Sequence, residues 1–158
     1  MRLFEIMTTD VQVASPNEGA EAAYNRMRNQ RVRHLVVMED RRVVGILSEL
    51  DVGGAAGAAV RHGKSVADLM SRRVVTAAPT AKVREAANLM RAREIGCLPI
   101  VEDSKLVGIV TLIDLAEVLG RGGQPSPAMT SRWKPTHGSK WKPVRRIDKP
   151  RRPPTFSR

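Results

Sequence analysis

The sequence predicts an α/β (α+β) fold: two copies of a strand–helix–strand–strand–helix unit, packed sheet to sheet with pseudo-twofold symmetry. Three observations predict it. The chain aligns with itself without a gap from Ile6 to Val52 when shifted by 63 positions. Both copies run through the same order of short apolar runs and helical spacing. A unit of about 60 residues cannot cover both faces of its own sheet, so the two units must share a core.

The self-alignment rests on named residues. Met7 falls on Met70, Val11 on Val74, Ala14 on Ala77 and Pro16 on Pro79. Ala23 meets Ala86, Asn25 meets Asn88, and Met27-Arg28 meets Met90-Arg91. Leu35 meets Leu98, Val44-Gly45-Ile46 meets Val107-Gly108-Ile109, and Asp51 meets Asp114.

Each copy opens on an extended stretch, Val11-Gln12-Val13 and Val74-Val75-Thr76. Pro16 and Pro79 close these stretches, because proline holds its predecessor in extended geometry. Asn17 and Thr80 stand where helix N-caps belong. Helical spacing follows at Ala20, Ala23, Tyr24 and Met27, and at Val83, Ala86, Ala87 and Met90. The strand-like runs Leu35–Met38 and Val43–Leu47 come next, joined by Glu39-Asp40-Arg41-Arg42. Their partners Leu98–Val101 and Leu106–Val110 are joined by Glu102-Asp103-Ser104-Lys105. Joins this short and polar predict hairpins. A closing helix is expected from Ser48 and again from Thr111, the first continuing through the Ala- and Gly-rich segment 53–63. The expected organisation is residues 1–62, residues 63–120, and a basic Pro/Gly-rich tail, 121–158.

Composition agrees with a small aliphatic core: 42% hydrophobic residues but only 3% aromatic. The net charge of +11 resembles a nucleic-acid signature, but its distribution does not. Residues 121–158 carry 11 of the 27 Lys and Arg against one acid, Asp148, leaving 16 basic and 15 acidic residues in 1–120. One cysteine, Cys97, excludes an intramolecular disulfide and a multi-thiol metal site. The most apolar stretch, 106–119, is interrupted by Asp114 and Glu117 and falls short of the ~20 residues a spanning helix needs. No apolar run near the N-terminus is long enough for a signal peptide. A cytoplasmic protein is expected.

The chemistry concentrates in Gly45-Ile46-Leu47-Ser48-Glu49-Leu50-Asp51 and Gly108-Ile109-Val110-Thr111-Leu112-Ile113-Asp114. In each, a hydroxyl residue sits where a strand gives way to a helix, whose first amides have no intrahelical partner and can hold a phosphate. Asp51 and Asp114, three residues on, can accept bonds from neighbouring ribose hydroxyls. Gly45 and Gly108 fit a close backbone approach. The same Ser/Thr-x-x-Asp spacing also fits a helix capping box, and the two roles can coexist if the hydroxyl caps while the acid points outward. Glu49 favours the helix dipole but repels a phosphate. Thr8 and Ser71, just after the paired Met residues, are further candidate phosphate donors. Val11, Val13 and their counterparts Val74 and Thr76 could flank an adenine ring. His34, the counterpart of Cys97, reads as a cleft or strand-edge residue, and Cys97 as a small buried hydrophobe. No nucleophile, base and orienting group come together, and there is no P-loop and no metal cluster. No catalytic residue, required cofactor or metal is expected.

The paired Met, the Pro, the Ala-rich helix and the Gly-Ile-Leu-Ser-x-x-Asp pattern resemble the CBS domain, named after cystathionine β-synthase. Two in tandem resemble a Bateman module, over about residues 3–120. The resemblance implies a regulatory module, not an enzyme, like those in IMP dehydrogenase, the gamma subunit of AMP-activated kinase, chloride channels and magnesium transporters. It implies an adenosine-type ligand (AMP, ADP, ATP or S-adenosylmethionine) in the cleft between motifs, and a homodimer forming a disc of four motifs. It also implies that a basic residue at Arg33 reaches phosphate. Its counterpart is Gly96, so the two sites should be unequal. Pro99 matches the family's turn into the strand; Val36 replaces it in copy one.

The tail carries its own echo, Ser131-Arg132-Trp133-Lys134-Pro135 and Ser139-Lys140-Trp141-Lys142-Pro143. With high charge, many prolines and few aliphatics it is expected to be largely disordered, or docked on a protein partner. An alternative function is nucleic-acid binding through Trp133, Lys134, Trp141, Lys142, Arg145 and Arg146, by charge and stacking, with the repeat pair as a dimerisation scaffold. An anionic membrane surface is a third possibility for the same residues.

Overall fold

The expected hairpins form, each four-residue join narrowing to a two-residue turn. In the computed structural model, which describes residues 1–124, Asp40 and Arg41 (φ 46° and 64°) and Asp103 and Ser104 (φ 47° and 65°) all adopt left-handed backbone. Two consecutive left-handed residues make the type I′ turn, whose twist matches that of antiparallel strands. The turns connect β2 (His34–Glu39) to β3 (Arg42–Ser48) and β4 (Cys97–Glu102) to β5 (Lys105–Thr111). Glu39 lies opposite Arg42, and Glu102 opposite Lys105.

The opening strand differs between copies. β1 (Val13–Ala14) pairs in parallel with Val36 and Val37 of β2, giving a three-stranded sheet. Copy two has a two-stranded sheet, and its opening stretch is reduced to a single Ala77–Ile100 bridge. Pro99 supplies the reason. The Val36 N–H donates to the Gln12 carbonyl at 3.1 Å, and Pro99, which replaces Val36, has no N–H to do the same.

The long helices are α1 (Ala20–Gln30) and α4 (Val83–Arg93), which bury Ala23 and Met27, and Ala86 and Met90. Their N-caps are Gly19 and Lys82, each two residues beyond the expected Asn17 and Thr80. Each N-terminus is met by a segment from elsewhere in the chain. The Ala20 N–H donates to the Lys64 carbonyl at 2.9 Å, and the Val83 N–H to the Met1 carbonyl at 3.2 Å. An external acceptor takes up a first-turn amide, so no side-chain cap is needed there.

That arrangement reflects an exchange of segments. The 3₁₀ turn Leu3–Glu5 joins copy two, with Leu3, Ile6 and Met7 in the core of Met90, Leu98, Ile100 and Val110. Helix α3 (Val66–Leu69) joins copy one, with Val66 in the core of Met27, Leu35 and Leu47. A third cluster, Val36, Cys97 and Ile109 with Ile46 packed against it, lies between the sheets and joins the copies.

The closing helix forms in copy two as α5 (Leu112–Gly120) but not in copy one. After Ser48 the chain makes turns and only a short helix, α2 (Ala58–Arg61). Gly53 and Gly54 (φ 74° and 57°) end the first turn, the Gly54 N–H donating to the Glu49 carbonyl at 2.9 Å. Left-handed glycines terminate helices in this way.

Gly45 and Gly108 each face a methionine. A Cβ on Gly108 would lie 2.6 Å from Met7 Sδ and 3.1 Å from the Thr8 carbonyl oxygen; on Gly45, 2.5 Å from Met70 Sδ. Here the exchanged segments cross the sheets, with Thr8 bridging Ile109 and Ser71 bridging Ile46. Gly108→Ala is expected to cost about 1–3 kcal/mol by overpacking, seen as a lower urea midpoint. Gly120→Ala, with open space at the same place and in a helix that favours alanine over glycine, is the control that should show no loss.

Candidate functional site

Where the two copies meet, a cleft of ≈ 580 Å³ opens. Of the residues expected at a site, Thr8, Val11, Arg33, Ser48, Thr111 and Asp114 line it. Both copies contribute, as a ligand bridging them requires. Gly45 and Gly108 do not line it; they serve the methionine contacts. Val13 sits in β1, Ser71 in its bridge to Ile46, and Asp51 is bonded to Ser48; none of the three lines the cleft. Trp133, Lys134, Trp141, Lys142, Arg145 and Arg146 lie outside the described residues.

The hydroxyl–acid pairs are capping boxes with one oxygen to spare. Asp114 Oδ2 accepts from the Thr111 N–H at 2.6 Å and from its hydroxyl at 2.8 Å, while Thr111 Oγ1 accepts from the Asp114 N–H at 3.4 Å. Asp51 Oδ2 accepts from the Ser48 N–H at 2.7 Å, and Ser48 Oγ accepts from the Asp51 N–H at 3.1 Å. The expected division, hydroxyl for the cap and acid for the ligand, is therefore replaced by sharing. Each carboxylate turns Oδ2 back to the chain, and only Asp114 also lines the cleft. A further correction concerns Ser48. Without a full helix behind it, it lacks the aligned amides that α5 gives Thr111.

Burial raises the Asp114 carboxyl above its usual range, against the hydrogen bonds from Thr111. Burial also lowers the His34 imidazole below 6.5; Arg33 adds to this, and Asp51 and Glu49 oppose it. His34 is thus neutral at pH 7 and faces Gly96 across the cleft, its Nε2 3.2 Å from where a Cβ on Gly96 would stand. Because the folded protein resists protonating His34, the unfolded chain binds more protons as pH falls below 6.5. Stability is expected to fall between pH 7 and pH 5, and His34→Gln to flatten that slope in melts of the unliganded protein. Cys97 is buried at 5% exposure, and its thiol is pushed up to about 12, which removes the thiolate a nucleophile needs.

Arg33 meets Glu49 at 3.6 Å, an exposed pair that partly neutralises the acid next to Ser48. Asp10, Gln12 and Arg31 also line the cleft and carry no motif. Asp10, Val11 and Gln12 enter it consecutively, from the bend that follows Thr8. Arg31 is placed by its left-handed backbone at the end of α1 (φ 54°), for which an arginine gives no sequence signal.

A family model described as CBS domain matches residues 3–55 and 66–121. The chain is 35% identical over 113 residues to the CBS domain-containing protein YhcV of Bacillus subtilis (strain 168), covering 71% of this chain and 81% of that protein. It is 33% identical over 111 residues to inosine-5′-monophosphate dehydrogenase of Thermoplasma acidophilum, but this match spans 70% of the chain and 22% of the enzyme. The solved CBS domain pair of protein MJ0100, in complex with 5′-methylthioadenosine and S-adenosyl-L-methionine, matches with a TM-score of 0.70 at 26% identity. That match covers 77% of this chain and 98% of the other.

Proposed function

The chain belongs to the CBS-domain family, and from that premise we propose that it is a regulatory module binding an adenosine-containing small molecule between its two motifs. The observation that carries this is Asp114. It is 8% exposed, held by Thr111 through Oδ2, and lines the shared cleft with Oδ1 uncommitted. An acid in that setting accepts from the two ribose hydroxyls. Thr8 and Val11 stand in the same cleft to meet the rest of the nucleoside. The MJ0100 pair, in complex with two adenosine derivatives, supports the reading.

A ligand that touches both motifs favours the packing in which both reach it, and so shifts their arrangement. It also stabilises the fold by mass action. Calorimetric titration of the full chain with adenosine derivatives tests the reading. Saturable binding that is weakened by Asp114→Ala supports it; no heat with any of them overturns it. A homodimer is part of the same proposal. Native mass spectrometry of the purified chain reads its mass together with any nucleoside it retains. Among the described residues no helix is long and apolar enough to cross a membrane.

A further inference from the structure

The charges around the cleft point to the nature of the nucleoside's 5′ end, an inference that rests on the adenosine reading above. Behind Arg31 and Arg33 a recess of ≈ 260 Å³ adjoins the cleft. Across both spaces the charged side chains are Arg28, Arg31 and Arg33 against Asp10, Glu49 and Asp114. The balance is even, and no lysine takes part.

The arginines are also less available than their number implies. Arg33 is paired with Glu49, and of the two Glu49 is the less exposed, with 41% of its side chain open to solvent against 72%. The carboxylate therefore lies nearer the protein and the guanidinium nearer water. Arg28 stands 5.9 Å from the Tyr24 ring centroid, on the recess and not on the cleft. The rest of the lining adds no further charge: it is apolar at Val11, Ile109 and Ile113 and neutral polar at Thr8, Gln12, His34, Ser48 and Thr111. A polyphosphate placed here would meet Asp10 and Glu49 with at most one unpaired guanidinium from the cleft. Hydroxyls at Thr8, Ser48 and Thr111 do not neutralise several negative charges, and an anion held against two carboxylates is disfavoured.

We propose that the cleft selects an adenosine whose 5′ substituent carries no net negative charge, a thioether or sulfonium nucleoside, and discriminates against ATP. The apolar wall suits a thioether. Asp10 and Glu49 suit a sulfonium or an amino group.

The test is calorimetry on the full chain with 5′-methylthioadenosine, S-adenosylmethionine and ATP at physiological ionic strength. ATP is scored by its displacement of the bound thioether or sulfonium nucleoside, so that binding elsewhere on this basic chain does not count. The better of the two uncharged or cationic ligands is expected to bind at least ~10-fold more tightly than ATP, since like-charge juxtaposition is costly. Glu49→Gln and, independently, Asp10→Asn are each expected to narrow that ratio by ~3-fold or more. Unliganded melts of both variants show that they fold. ATP binding in the cleft as tightly as the thioether or sulfonium nucleoside, or a ratio unmoved by both variants, overturns the inference and leaves the adenosine reading standing. No binding by any of the three overturns both.

Discussion

Arg61→Ala is expected to lower the unfolding free energy by about 3 kcal/mol, the low end of what breaking a buried ion pair costs. The side chain of Arg61 is 3% exposed. Its Nε donates to Glu21 Oε2 at 2.6 Å, and Nη1 donates to the Val52 carbonyl at 2.9 Å and the Gly54 carbonyl at 2.6 Å. Its guanidinium stacks 3.9 Å from the Tyr24 ring centroid. One residue thus ties α2 to α1 and to the glycine turn that stands in for a closing helix. Alanine would strip the Arg61 bonds from two carbonyls, of which Gly54 keeps only the Gly57 N–H at 3.2 Å, and leave a void beside Tyr24. Glu21, 55% exposed, regains water, which keeps the loss at the lower end. A chain of this size should lose roughly 6–12 °C in melting temperature. Arg33→Ala, which removes the exposed pair with Glu49, should cost less than ~1 kcal/mol. Urea denaturation of the two variants reads the contrast, and equal losses would refute the clamp. Because the turn that Arg61 fastens carries Ser48–Leu50 into the cleft, Arg61→Ala should also weaken nucleoside binding.

Asp114→Ala is expected to weaken nucleoside binding by about 10–100-fold, the range for losing hydrogen bonds to a charged group. Its effect on the unliganded fold should be small. Losing the capping interaction costs ~1 kcal/mol, but the burial of a carboxylate is relieved at the same time. The pH dependence separates the two. Asp114 is held above its usual range, so the folded protein keeps that proton to a higher pH than the unfolded chain does. Its contribution to stability therefore falls as pH rises from the ordinary aspartate value through the raised one, and is constant above that. Asp114→Asn should abolish that fall while preserving the side chain's volume. Nucleoside affinity in the natural protein should rise over the same window, as the acceptor gains its charge. Calorimetry and melts across the acid range measure both.

The residues explain why some of this was legible and some was not. The hairpins were, because Asp40-Arg41 and Asp103-Ser104 interrupt apolar runs that nothing else could join. The Thr111–Asp114 pair was, because a spacing of three fixes a capping box whatever lies around it. The copy-one helix was not: Ser48-x-x-Asp51 starts a turn as well as Thr111-x-x-Asp114 does, and Gly53-Gly54, read as part of an Ala/Gly-rich continuation, stops it. The caps at Asn17 and Thr80 were misplaced because the true partners of the helix ends, Lys64 and Met1, come from distant chain. A self-alignment likewise says that Met7 equals Met70 but not which copy each one enters. Asp10 and Arg31 reach the cleft through backbone direction, which their side-chain types do not encode.

A co-crystal structure of the full chain with the tightest-binding adenosine derivative tests the central claim most directly. The ribose hydroxyls should lie within hydrogen-bond reach of Asp114 Oδ1, with the base beside Val11 and the 5′ atoms toward Arg33 and Glu49. A nucleoside seated away from Thr111–Asp114, with that carboxylate unliganded, would contradict it.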